Sequence, residues 1–337
     1  MPKRRRSKGW FAPLLVLGLA AGFMFWLYSG TRPVANKGAG QKLTIRYETA
    51  RKLPAVLNDL EKRGLIRNSQ AARILALLER RPTTVPAGSY VVGSAMSAEE
   101  ILRQLRKPVF LLLRLPETNW ANRTAHLLAN YQIADADEYM DLVRDPKGFA
   151  DDVSFPLPAD SLEGYLYPKR YELPPLIGAR RVILQQLKEF ERNVWNGTER
   201  PKDLKRTLIL ASLVQLEAGR DDDRAMIAGV IENRIKKKMP LQIDSTILYA
   251  LQKWRRLSFK DYHGVVSPYN TYTHKGLPPG PICSPDEKDI LAAMHPAKHN
   301  YLYYVALPNG QSIYAATYKE HLKNIALRKA ALRVIRP

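Results

Sequence analysis

Glu217 stands in the last turn of an apolar stretch, Leu204 to Ala218, on the same stripe as Leu210, Leu213 and Val214. The pattern predicts a helix that is apolar nearly all round, of the kind buried in a domain interior. A carboxylate there is held against two penalties. The negative end of the helix dipole and a low-polarity surround both disfavour its charge, so both push its pKa up. A carboxyl kept protonated near neutral pH is what a general acid needs to cleave a glycosidic bond. A structural role, capping a neighbouring helix or pairing with Arg220 or Arg224, would use the same residue type, since structural ion pairs shift pKa values too. Gly219 is expected to stop the helix, and a second, amphipathic helix is expected to open at Asp221-Asp222-Asp223.

The elements that must position this carboxyl follow from periodicity and breakers. Leu43 to Tyr47 alternates as a strand, and Gly88 to Val92 can return beside it. Between them Leu53 to Arg63 and Ser69 to Glu79 are predicted helices, and Ser97 caps a further one, Ala98 to Arg106. This is a small α+β module. Val109 to Leu115 is another strand, ended by Pro116, and Asn119–Asn130 and Ala136–Val143 are predicted helices. Asp145 to Asp160 reads as a loop. A helix over Ile177 to Trp195 precedes the Glu217 helix pair. Asp244 and Ser245 are expected to cap a short helix, Thr246 to Leu251. Ser267 to Pro285 (SPYNTYTHKGLPPGPICSP) is too rich in Pro and Gly for regular structure, and so long a loop in a compact domain points to function. Tyr301–Ala306 and Ser312–Ala315 form a predicted hairpin about Asn309-Gly310, and Tyr318 to Val334 closes the chain as a helix.

Composition bounds the partners. With 53 Lys and Arg against 32 Asp and Glu in 337 residues, the net charge is +21. That favours an anionic partner: nucleic acid, an anionic membrane or a cell-wall polymer. No RNP or zinc-finger motif supports nucleic acid. Lys3 to Lys8 (KRRRSK) precedes an uncharged run, Gly9 to Gly30, as long as the roughly 20 apolar residues a bilayer core requires. The basic cluster places the N-terminus in the cytoplasm and the body outside. No A-x-A site closes the run, so an uncleaved anchor is expected, with Trp26 and Tyr28 in the interfacial belt. Thr31 to Gln41 has the composition of a tether. The single Cys283 permits no internal disulfide and no site built on several thiolates. No metal or cofactor is expected.

Four segments in order carry a resemblance: Leu162–Pro168 (LEGYLYP), Ala211–Glu217 (ASLVQLE), Asn233–Asp244 (NRIKKKMPLQID) and Ser267–Pro281 (SPYNTYTHKGLPPGP). His295-Pro296-Ala297-Lys298, followed by YLYYVA, extends it. The chain resembles the membrane-anchored endolytic murein transglycosylases, the MltG or YceG-like family. The resemblance covers Leu162 to about Leu327, and more weakly Leu43 to Trp120, where the family carries a LysM-like module.

The resemblance implies an α+β protein with a single N-terminal transmembrane helix, a small LysM-like α+β module and a larger mixed α/β catalytic domain. The implied boundaries are a cytoplasmic tail 1–8, membrane helix 9–30, linker 31–42, LysM-like module 43–108, connecting subdomain 109–160 and catalytic domain 161–337. It implies a plasma-membrane protein cutting peptidoglycan glycan strands between N-acetylmuramic acid and N-acetylglucosamine outside the cytoplasm, leaving 1,6-anhydro ends. Peptidoglycan synthases are candidate partners. Glu217 falls on the family's catalytic glutamate, Gln242 and Asp244 on a polar pair, and Tyr269, Asn270, Thr271 and Tyr272 on its cleft loop. In this frame Asn270 and Gln242 would bond acetamido groups, and Tyr269 and Tyr272 would offer flat faces to sugars. Glu163 would line the cleft or stabilise a turn. Asp244 reads as a helix cap more readily than as a second catalyst. Gln215 and Leu216 stand where the family often has Glu-Lys, Ile243 and Ser245 where it has Thr and Pro, and Lys169-Arg170 where it has Asp-Thr. A muramidase that hydrolyses the same bond, and a wall-binding scaffold without activity, are the alternatives.

Overall fold

The computed structural model describes residues 11–36, 38–197 and 199–335. The basic cluster Lys3 to Lys8 therefore lies outside the described residues. The chain forms two compact units. One runs to Leu111 and includes Glu172–Ile177; the other comprises Leu112–Tyr171 and the chain from Gly178 onward.

The first unit opens with α1 (Phe11–Thr31), 21 residues long and about 30 Å at helical rise. Its stretch Leu14–Thr31 is long and apolar enough to cross a membrane. Most of its side chains are exposed, Leu15 at 67 % and Phe25 at 73 %, as expected of a helix whose apolar surface needs a non-aqueous partner. Near the end of the helix, Gly30 approaches Ala71 and Asn68 so closely that a Cβ would lie 2.7 Å from the Ala71 methyl.

The strand–helix–helix–strand order read from periodicity is present as β1 (Lys42–Tyr47), β2 (Arg51–Lys52), α2 (Leu53–Lys62), α3 (Ser69–Leu78), β3 (Thr84–Val85), β4 (Gly88–Gly93) and α4 (Ala98–Gln104). β1 and β4 pair antiparallel, with Ile45 opposite Tyr90. The two-residue strands β2 and β3 form a second ribbon that is too short to show a period. Ile45, Val56, Leu60, Tyr90 and Ile101 share one core. The ends are chemically marked. Asn68 accepts from the Ala71 N–H, and Ser97 with Glu100 closes a capping box at α4.

The chain continues through β5 (Leu111–Leu115), α5 (Ala121–Asn130) and α6 (Ala136–Arg144). The proline-rich stretch after α6 is not all loop, because Pro146–Asp152 winds into a 3₁₀ turn that buries Phe149. β6 (Lys169–Leu173) pairs with β5. The helix expected over Ile177 to Trp195 is α7 (Ala179–Phe190) followed by a π-helical turn, Glu191–Trp195. Next come α8 (Leu204–Glu217), α9 (Asp223–Lys236), α10 (Asp244–Leu251), α11 (Phe259–Gly264) and α12 (Glu287–Met294). The antiparallel hairpin β7 (Tyr303–Ala306) and β8 (Ser312–Ala315) and the helix α13 (Tyr318–Ile335) end the unit.

α8 is the centre of this unit. Leu208, Leu210, Ala211, Leu213 and Val214 are fully buried, as an all-round apolar helix demands. α12 and α9 pack on it. α12 escaped the sequence reading although Asp286 caps it and Ile290 and Ala293 supply its buried face. Gln215, one of the departures noted above, accepts from the Asp286 N–H at 3.4 Å and so ties α8 to the start of α12.

Candidate active site

Glu217 is the last residue of α8, and Ala218 leaves the helix in an extended conformation. Gly219 is therefore not a left-handed helix stop. Its role is close approach: a Cβ there would sit 3.0 Å from the Gly310 carbonyl in the β7–β8 turn. The carboxyl is gripped by two hydroxyls from distant parts of the chain. Tyr304 of β7 donates to Oε2 at 2.9 Å and Ser245 of α10 donates to Oε1 at 3.2 Å. Arg224, offered above as an ionic partner, is engaged elsewhere, bonding Asp221 and Asp289.

Burial pushes the Glu217 pKa up to about 7; the Tyr304 and Ser245 hydrogen bonds oppose that rise, and the charge of Asp244 adds to it. The side chain still keeps partial solvent access. A proton donor needs both properties, a raised pKa and a path to substrate.

Other residues hold the two hydroxyls in place. Arg234 of α9 donates from Nε to the Leu302 carbonyl at 2.7 Å and from Nη1 to the Leu241 carbonyl at 2.6 Å, with its guanidinium over the Tyr303 ring. One side chain thus bridges the segment before β7 to the segment before α10. Asn233 adds bonds to the carbonyls of His299 and Tyr301. On β8, opposite Tyr304 and Ala306, Asp223 accepts from Tyr314 Oη at 2.6 Å and from the Ser312 N–H at 3.1 Å.

The residues singled out from sequence separate into three groups. Asp244 is not a cap. It is the first residue of α10, Ile243 holds the cap position, and no side chain caps that helix. Its exposed carboxylate accepts from Tyr272 Oη at 2.6 Å. Gln242 is exposed with φ +55°, a left-handed conformation uncommon for a residue with a side chain.

Asn270 and Thr271 are buried scaffold. Asn270 Nδ2 donates to the carbonyls of Tyr262 and Val265, and its Oδ1 accepts from the Tyr272 N–H, so both ends of the amide serve the loop rather than a sugar. Thr271 Oγ1 accepts from the Ile243 N–H at 3.0 Å and meets Thr246 Oγ1, pinning the loop to the start of α10. Tyr269 and Tyr272 are half-buried, packed on Tyr249 and Tyr262 respectively.

Glu163 is the third case. It is 5 % exposed, and both its oxygens accept from the Ala121 N–H, at 3.1 and 3.0 Å, at the start of α5. It caps a helix. Burial pushes its pKa up to about 8, against the Ala121 and Tyr249 hydrogen bonds. Gly164, at φ +86°, follows it, and a Cβ there would overlap Pro281 at the end of the cleft loop. The LEGYLYP segment and the loop are thereby locked together. Sequence reasoning missed Tyr304 and Arg234 as partners of the site; Ser245 was expected to cap α10 and noted as a departure, but its hydroxyl bonds Glu217 instead. Among the described residues no three His, Cys, Asp or Glu side chains cluster as metal ligands.

Comparison with known proteins identifies relatives of this chain. The chain is 42 % identical over 168 residues to a Bacillus subtilis protein named endolytic murein transglycosylase, an alignment covering 48 % of this chain and 46 % of the relative. A Streptococcus pneumoniae protein of the same name is 28 % identical over 351 positions, 94 % of this chain and 63 % of the relative. The chain thus matches between about half and under two thirds of the length of these curated relatives. A crystal structure described as a yceG-like protein from Listeria monocytogenes superposes with a TM-score of 0.57 at 29 % identity, over 84 % of this chain and 98 % of that one. The family model described as YceG-like matches residues 45–327, and the chain belongs to the YceG-like family.

Proposed function

We propose that the protein is an endolytic peptidoglycan lytic transglycosylase with Glu217 as its general acid and base. The observation that carries this reading is a carboxyl at the end of a buried helix, raised to about 7 and held by the hydroxyls of Tyr304 and Ser245. The names of the bacterial relatives agree with it. The bond cut is that between N-acetylmuramic acid and N-acetylglucosamine in nascent strands. Protonated Glu217 gives its proton to the bridging oxygen as the anomeric carbon–oxygen bond breaks. The muramic acid 6-hydroxyl attacks the anomeric carbon and returns its proton to the Glu217 carboxylate. No water is consumed, and the product is a 1,6-anhydro end. Ordinary glycosidases use a second carboxyl to activate water or form a covalent intermediate. Here the nucleophile belongs to the sugar and is already positioned, so one carboxyl suffices. Asp244, close enough to raise Glu217, would add negative charge to the environment of a developing oxocarbenium ion.

That same Asp244 charge motivates a second reading, a muramidase in which Asp244 activates water. Digestion of purified peptidoglycan by the wild type and by Glu217→Gln, with mass spectrometry of the ends, tests both. Anhydro ends from the wild type and no cleavage by the variant are expected. Ends heavier by one water would replace the lyase by the hydrolase.

The apolar α1 would act as an uncleaved single-pass anchor in the plasma membrane, with the basic N-terminus cytoplasmic. The module 43–108 would be LysM-like and position glycan, the segment 109–160 would connect, and residues 161–337 would form the catalytic domain. Peptidoglycan synthases would be partners. A reporter fused after Pro337 that is active only in the cytoplasm would reverse the topology.

A further inference from the structure

A row of aromatic rings runs from the cleft loop to the protein surface. Tyr269 of the loop packs on Tyr249 of α10 with ring centroids 4.7 Å apart. Tyr249 meets Trp120 edge-on at 6.1 Å, and Trp120 lies 5.6 Å from Trp254. Trp120 is buried, while Trp254 keeps 53 % of its surface exposed. The Arg123 guanidinium lies over both indoles, 5.4 Å from Trp120 and 6.0 Å from Trp254. The buried Trp120 Nε1–H has no acceptor among the described residues, an unusual state for a polar group.

An exposed indole on a loop needs a reason when its neighbours hold it so firmly. Trp254 has a buried ring on one side and a cation beside it, so little rotamer freedom remains to be lost on binding. A rigid aromatic face suits the apolar C–H face of a pyranose ring, and the indole π face carries the negative end of its quadrupole. Arg123 supplies a cation complementary to carboxylates carried on the strand's substituents. α10 sets the spacing. Its Ser245 touches Glu217, and its end at Leu251 lies about 9 Å further along the axis at helical rise. Trp254 follows that end, which puts it at the scale of sugar units rather than of the bond being cut.

We infer that Trp254 and Arg123 form a distal subsite for the glycan strand, with the indole stacking on a sugar ring away from the scissile bond and Arg123 pairing with a strand carboxylate. This rests on the transglycosylase reading of Glu217. The ring row leads into the loop beside Glu217, which favours the strand as occupant over a membrane surface, although Phe259 and Val266 are also exposed.

The test uses full-length protein in detergent and four forms: wild type, Trp254→Ala, Trp254→Phe and Arg123→Gln. KM and kcat are measured on long uncrosslinked glycan strands and on a tetrasaccharide, and strand binding is measured in the Glu217→Gln background. Trp254→Ala is expected to raise KM on long strands about tenfold, the effect of truncating one aromatic anchor. Trp254→Phe should restore most of it, Arg123→Gln should fall between, and the tetrasaccharide should register little of the loss. Equal losses on both substrates would mark a structural role and overturn the subsite. Unchanged KM and binding in Trp254→Ala would overturn it too, leaving the Glu217 reading intact. A wild type that neither cuts nor binds strands would remove that reading, and the subsite with it. A blue shift of tryptophan emission with anionic phospholipid vesicles, absent with glycan, would assign the patch to a membrane and overturn the proposal.

Discussion

The larger unit holds two glutamates whose pKa values burial drives in the same direction, Glu217 to about 7 and Glu163 to about 8. Their surroundings differ. Glu163 accepts from the backbone N–H of Ala121 at a helix N-terminus, where a carboxylate supplies a partner that the helix itself lacks. Glu217 sits at a helix C-terminus, where the backbone offers it nothing, and its partners are two hydroxyls that can adjust as its proton comes and goes. Glu163 is sealed, and Glu217 keeps an opening. A raised pKa therefore marks burial in both and chemistry only where partners are adaptable and substrate can arrive.

The comparison is broken most directly at Glu217. Glu217→Gln should lower strand cleavage by about 10²–10⁴-fold, the worth of a general acid, while the melting temperature stays near that of the wild type. Glu163→Gln losing as much activity in a folded protein would exchange the two roles. Tyr304→Phe comes next, with a loss of about tenfold for a hydrogen bond to a charged group. That bond favours the ionised carboxyl, so its removal raises the Glu217 pKa further, and the alkaline limb of the pH–rate profile should move to higher pH. A limb that stays in place would detach Tyr304 from the titrating group.

For Glu163 the expected effect is on stability. Its folded pKa, about 8, lies above its unsupported value of 4.5. Its contribution to stability is therefore complete below about pH 4.5 and lost as pH rises through about 8. Melting temperature should fall across that window, and Glu163→Gln should flatten the fall. Asp289, also raised to about 8, remains and leaves a residual slope. An unaltered slope in Glu163→Gln would show that Glu163 does not titrate in that window.

Asp244→Asn should have the smallest effect, about fivefold at most near neutral pH, because the charge is exposed. Its sign is opposite to that of Tyr304→Phe. Removing the negative charge lowers the Glu217 pKa, so the alkaline limb should move to lower pH. Abolished cleavage in folded Asp244→Asn would favour the two-carboxyl hydrolase.

Much of this was legible in one dimension because local physics decides it. The apolar run of α8, the alternation in β1 and β4, the Ser97 cap and the Pro-rich loop after Ser267 each declare their conformation within a few residues, and the observed boundaries fall close to the expected ones. Where local signals were too short or shifted by one residue, the reading slipped. β2 and β3 have two residues each, too few for a period. Asp244 looked like a cap because it stands one position inside the helix that Ile243 begins. Glu217 could be nominated from its own neighbourhood, since an all-round apolar helix ending in a carboxyl is a local pattern. Its partners could not. Tyr304 lies 87 residues away and meets it only because Arg234 joins the segments before β7 and α10 through backbone carbonyls, which every residue carries and no sequence pattern marks. Asn270 shows the converse. Its type suited a sugar contact, but burial turned both ends of its amide inward, and burial is a property of the packed chain.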